Sequence, residues 1–109
     1  MYEIKEGIAK IKDITIPVYK REVTMCNSLE VVAGTNGYRG GDSGYGSRTY
    51  IRIQDTGGTD ISVKRISGDK NEGEGVEIVL GGDSELKTII NALKFITKVL
   101  EDQTNEVYD

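Results

Sequence analysis

The residues best equipped for chemistry fall between Gly34 and Arg52, where three Arg, three Tyr and six Gly sit within nineteen positions. Such a set is suited to holding an anion. Glycines let successive backbone N–H groups converge on phosphate oxygens. A guanidinium offers two parallel donors to phosphate, and a tyrosine ring stacks on a base. On this reading Arg39, Arg48 and Arg52 neutralise phosphate, Tyr38, Tyr45 or Tyr50 stacks, and Asn36 or Asp42 reads polar edges, with Ser43 in the same loop. The segment Gly34–Ser47 is long for a connection between strands, and loops of this length in small domains usually serve a function or are disordered.

Catalytic equipment is sparse. The chain has no His, which removes Ser-His-Asp and Cys-His pairs, His-ligated metals and an imidazole titrating near neutrality. Cys26 is the lone cysteine, so neither an intrachain disulfide nor a multi-Cys zinc site can form; it reads as a small buried side chain. Gly41-Asp42-Ser43-Gly44 matches the serine-protease nucleophile signature but lacks its base. There is no Gly-x-Ser-x-Gly, no P-loop and no correctly spaced calcium loop. Gly-Gly-Asp-Ser recurs at 40–43 and 81–84, the second as a helix N-cap. The expectation is a non-enzymatic protein without cofactor or metal, while carboxylate or Tyr chemistry is left unsupported.

The run Thr35–Ile53, TNGYRGGDSGYGSRTYIRI, resembles small proteins encoded by phages and prophages, most without assigned function. The resemblance covers about a third of the chain and carries no catalytic residues. It implies a binding role, either a sponge that sequesters a cyclic-nucleotide defence signal or an inhibitor that blocks a host enzyme, in the host cytoplasm.

Charge and length bound the alternatives. With 109 residues the chain supports one domain, and its net charge is −4. That balance disfavours tracking along long DNA or RNA, which uses a basic face. No apolar run approaches the roughly 18–20 residues of a membrane helix. The start, Met1-Tyr2-Glu3-Ile4-Lys5-Glu6, is acidic where a signal peptide would be basic, so the expected location is the cytoplasm. Against the anionic whole, Gly34–Arg52 is locally cationic, with Arg39, Arg48 and Arg52 opposed only by Asp42.

The elements that must position this segment follow from hydrophobic period. Leu86, Ile89, Leu93, Ile96 and Leu100 form one helical stripe, widened by Ile90, Phe95 and Val99, so a helix is expected from about Ser84 to Asp102, with Asp83 as N-cap. Period-two alternation marks strands at Leu29–Ala33, Ser47–Gln54, Asp60–Ile66 and Val76–Leu80. In Ser47–Gln54, Arg48, Tyr50 and Arg52 share one face and Thr49, Ile51 and Ile53 the other. Thr56-Gly57-Gly58-Thr59 reads as a hairpin turn and Ser67–Gly75 as a hairpin loop. Asp13–Tyr19 reads as a strand, with Pro17 at an edge or bulge. Ile4, Ile8 and Ile11 fit a helix or a short strand.

The sum is an α+β domain over residues 1–102: an antiparallel sheet of about five strands with one C-terminal helix on one face, then an acidic tail at 103–109. Two functions compete for the Gly/Tyr/Arg segment. One is binding of a small phosphorylated molecule, a nucleotide or cyclic nucleotide. The other is docking on a host protein, since Tyr and Arg also anchor protein interfaces. A single sheet with one helix leaves a face to cover, so a homo-oligomer is expected as well.

Overall fold

The computed structural model describes residues 4–12, 14–24, 27–37, 48–68 and 73–108, the last with side chains through Thr104. Four strands form an antiparallel meander in sequence order: β1 (Lys5–Ile11), β2 (Ile14–Thr24), β3 (Ser28–Thr35) and β4 (Thr49–Gly57). Strands β5 (Ile61–Ile66) and β6 (Gly75–Leu80) pair only with each other, and helix α1 (Asp83–Tyr108) follows. The α+β class and the single helix on one sheet face are as expected, with the strands divided four and two.

β3 lies at the centre of the sheet and is buried on both faces. On the helix face, Val31, Ala33 and Val23 of β2 meet Ala92, Phe95, Ile96 and Val99 of α1. Both layers contribute a small side chain to this cluster, Ala33 from the sheet and Ala92 from the helix. On the other face Ile16, Val18 and Val32 form a second apolar cluster, flanked by Ala9, Ile11, Ile14 and the ring of Tyr50. Leu29, Val31 and Ala33 thus serve one layer while Val32 serves the other, which is why this strand reads as nearly continuous aliphatic sequence.

Ile8 and Ile11 belong to a strand, and Ile4 lies just before it. Ile11 pairs with Ile14, so β1 turns directly into β2, and Lys12 at φ 55° lies in that turn. Pro17 pairs with Ile8 on the β1 side, and the β2–β3 ladder begins one residue later, at Val18 opposite Gly34. The missing N–H of Pro17 therefore faces no β3 partner. At the same point β2 and β3 approach so closely that a Cβ on Gly34 would stand 2.7 Å from Val18 Cα and collide with the Pro17 carbonyl.

The Thr56–Thr59 link departs from the expected hairpin. β4 pairs with β3 and β5 with β6, so the link carries the chain away from the sheet. The Asp55 carboxylate organises it by accepting from the backbone N–H of Gly57 and of Thr59, each at 3.0 Å. Gly58 sits at φ 67°, and buried Thr59 donates its hydroxyl to the Ser28 carbonyl at 2.8 Å. Local side-chain acceptance of two N–H groups replaces the cross-strand bonds a hairpin would need.

The helix differs from its expected form in two ways. It runs on through Tyr108, so the stretch expected to open an acidic tail is helical. The buried stripe is also rotated. Ala92, Phe95, Ile96 and Val99 are inside, whereas Leu86 and Leu93 are about half exposed, at 54% and 50%. Its N-terminal end is fixed through Asn27, whose side-chain carbonyl accepts from the Thr88 hydroxyl at 2.7 Å. Glu85 also accepts from the Asp60 N–H at 3.3 Å, tying the helix start to the strand link.

Candidate functional site

The two ends of the Gly-rich segment are held together by a dense polar clasp. Thr35 donates its hydroxyl to the Arg48 carbonyl at 3.1 Å, and that hydroxyl lies 3.0 Å from Thr49 Oγ1. It also accepts from the Gly37 N–H at 2.9 Å. Asn36 Oδ1 accepts from the Arg48 N–H at 2.7 Å, and the Asn36 N–H donates to the Arg48 carbonyl at 3.2 Å. The side-chain carbonyl of Asn36, expected to read a ligand edge, thus bonds the backbone at the loop mouth. Gln103 reinforces the clasp from the helix, accepting from the Thr35 N–H at 2.8 Å and donating to the Pro17 carbonyl at 3.0 Å.

Of the other residues expected at the site, Tyr38, Arg39, Asp42, Ser43 and Tyr45 lie outside the described residues, as does Cys26. Tyr50 and Arg52 are placed as the alternation requires, on the sheet face opposite the helix. The register then shows neighbours that alternation within one strand cannot reveal. Lys5 pairs with Lys20, Lys20 with Val32, and Val32 with Arg52. Three cations therefore share one row across the helix-free face. The next row runs Gly7, Val18, Gly34, Tyr50. Strands stand about 4.8 Å apart, so the Lys20 and Arg52 backbones are roughly 10 Å apart across Val32.

Residues around this row modulate its charge. Glu22, Glu30 and Gln54 form the row on its far side. Lys20 Nζ is 4.0 Å from Glu30, a half-exposed pair of weak net value. The Arg52 guanidinium donates to the Gln54 side-chain carbonyl two residues along the strand. Gln54 presents a neutral acceptor, which aims the guanidinium without neutralising it. Tyr50 is half-buried with its ring against the Ile16, Val18 and Val32 cluster, so the row of cations borders a fixed aromatic surface. Lys5 and Lys20 carried no sequence signal as site residues, because their approach to Arg52 depends on the β1–β2 turn and on two ladders.

Among the described residues, the carboxyl with a displaced pKa is that of Asp55, away from this face. Its carboxyl is held below the usual carboxylate range, first by the Thr59 N–H and then by the Gly57 N–H. Among the described residues no three His, Cys, Asp or Glu side chains are grouped to hold a metal ion, and no helix is long and apolar enough to cross a membrane.

No family model, curated protein or solved structure matches this chain. Nothing in those comparisons links it to phage proteins, so the site must be read from its own geometry.

Proposed function

We propose that this protein binds a small phosphorylated ligand of the nucleotide class on the helix-free face of the sheet, without transforming it. The observation that carries this reading is the cross-strand row Lys5–Lys20–Val32–Arg52 beside the Tyr50 ring. Cations on three of the four strands supply more than one phosphate contact, and the ring supplies a stacking surface for a base. The Thr35–Asn36–Arg48 clasp fixes where the Gly-rich segment leaves and rejoins this face. Binding only the folded state raises its melting temperature by mass action. A panel of nucleoside mono-, di- and triphosphates and cyclic dinucleotides should therefore include a ligand that shifts Tm by several degrees. Arg52→Glu and Lys20→Glu should each abolish that shift, and the ligand should be recovered chemically unchanged. A panel with no shift, or turnover of the ligand, overturns the reading. The cyclic-dinucleotide arm tests whether the ligand is a cyclic-nucleotide signal held by sequestration.

A second reading, self-association, is favoured by a different observation. Hairpin β5–β6 pairs with no other strand, and Val63, Val76 and Ile78 on one of its faces are exposed. A lone two-stranded hairpin is marginal in water. The exposed helix stripe Leu86, Ile90, Leu93 offers a matching apolar surface, and a two-fold dimer would bury both kinds of surface together.

A further inference from the structure

A groove of about 520 Å³ runs between α1 and the β1–β2 side of the sheet, on the face opposite the cationic row. Its volume falls within the range of small-molecule pockets. The walls are apolar: Tyr19 and Val23 from β2, Phe95 and Val99 from the helix, and Ile4 at one end. Arg21 sits among them, its guanidinium carbon 5.9 Å from the centre of the Phe95 ring. The Arg21 Nε is sealed from water and has no hydrogen-bond acceptor. A buried donor on a charged group is costly to leave unpaired, and stacking on Phe95 compensates only part of that cost.

The groove's charge is opposite to that of the protein. Lys94 and Lys98 line the helix side, and the acid among the lining residues, Asp102, is already paired with Lys98 at 3.1 Å. Arg21, Lys94 and Lys98 against Asp102 leave a local excess of two positive charges on a chain of net −4. An aliphatic and aromatic trough lined by three cations against one acid is complementary to one chemical class.

We propose that this groove is a second binding site, for an amphipathic monocarboxylate. The head group would pair with Arg21, whose fork matches a carboxylate, under the field of Lys94. The apolar body would lie along Val23, Phe95 and Val99.

Decanoate, kept below its micelle concentration, is the probe, and decan-1-ol is its uncharged control. The wild-type chain should bind decanoate at least tenfold more tightly than the alcohol in titration calorimetry. Amide chemical-shift changes should cluster at Val23, Phe95 and Val99. Arg21→Met should weaken decanoate binding at least tenfold and leave decan-1-ol binding unchanged. Lys94→Glu, an exposed substitution that keeps the fold, should weaken decanoate several-fold while leaving nucleotide binding on the opposite face untouched. Absence of decanoate binding, equal affinity for acid and alcohol, shifts confined elsewhere, or unchanged decanoate affinity in Lys94→Glu would each overturn the proposal.

Discussion

Gln103 accepts the Thr35 N–H at 2.8 Å across sixty-eight residues of sequence, and so joins the C-terminal part of the helix to the mouth of the Gly-rich segment. Its other side-chain atom reaches the Pro17 carbonyl, so one amide bridges β2, β3 and α1. Gln103→Leu leaves a part-buried backbone donor unpaired and should cost about 1–3 kcal/mol. Gln103→Glu keeps an acceptor for Thr35 but sets a carboxylate oxygen against the Pro17 carbonyl, so urea denaturation should place it, too, below the wild type. Equal stability of all three proteins would deny the bridge any role.

Gly34 occupies the closest approach of β2 and β3. Gly34→Ala puts a methyl group into the Pro17 carbonyl and within 2.7 Å of Val18, contacts with backbone that no rotamer change relieves. The ladder must shift, at a cost of about 1–3 kcal/mol, the range of overpacking substitutions. Gly58→Ala provides the contrast. Open space surrounds Gly58, so its loss should reflect only the strain of a positive φ.

Lys12 adopts φ 55° in the β1–β2 turn, a conformation that Asn or Gly adopts with less strain. Lys12→Asn should therefore stabilise the protein by about 0.5–1 kcal/mol. Thermal melts of the two proteins would measure it, and a lowered Tm would count against this turn geometry.

Asp55 supplies a pH dependence with a defined sign. Its carboxyl is more acidic folded than unfolded, because the Thr59 and Gly57 N–H groups favour the ionised form. The contribution is present above the unfolded value of about 4 and is lost as pH falls through the lower folded value. Asp55→Asn should lower Tm at neutral pH, and the gap to the wild type should narrow below about pH 4. A gap constant with pH would contradict the turn as described.

The exposed hairpin face makes self-association measurable. Val63→Lys with Ile78→Glu, a cross-strand pair, removes the apolar surface while keeping a complementary charge pair in register. Light scattering at micromolar concentration should show the wild type as a dimer and the double variant as a monomer. A monomeric wild type removes the self-association reading.

Alternation and helical period were enough to place the strands from Leu29 onward and the C-terminal helix, because those signals are local. What they could not supply is non-local. Ile8 and Ile11 are compatible with either period until the turn at Lys12 pairs them with β2, at Pro17 and Ile14, and Lys12 is not a residue that announces a turn. The rotation of α1 that buries Ala92 and exposes Leu86 and Leu93 depends on packing against β2 and β3, which the helical period alone does not carry. At the candidate site, Tyr50 and Arg52 were legible from one strand's alternation. Lys5 and Lys20 join them only through register, and the bond from Asn36 Oδ1 to the Arg48 N–H depends on how the two strand ends meet.

The meander also fixes an order of events. All four strands of the main sheet lie within residues 5–57, whereas the helix that covers one face occupies 83–108. During synthesis Val23, Val31 and Ala33 leave the ribosome well before Phe95, Ile96 and Val99 can meet them. The nascent sheet carries an uncovered oily side throughout that interval, the kind of surface that chaperones recognise. Because the helix both closes that side and, through Gln103, bonds the Thr35 N–H, completion of the core and closure of the loop mouth are one late step.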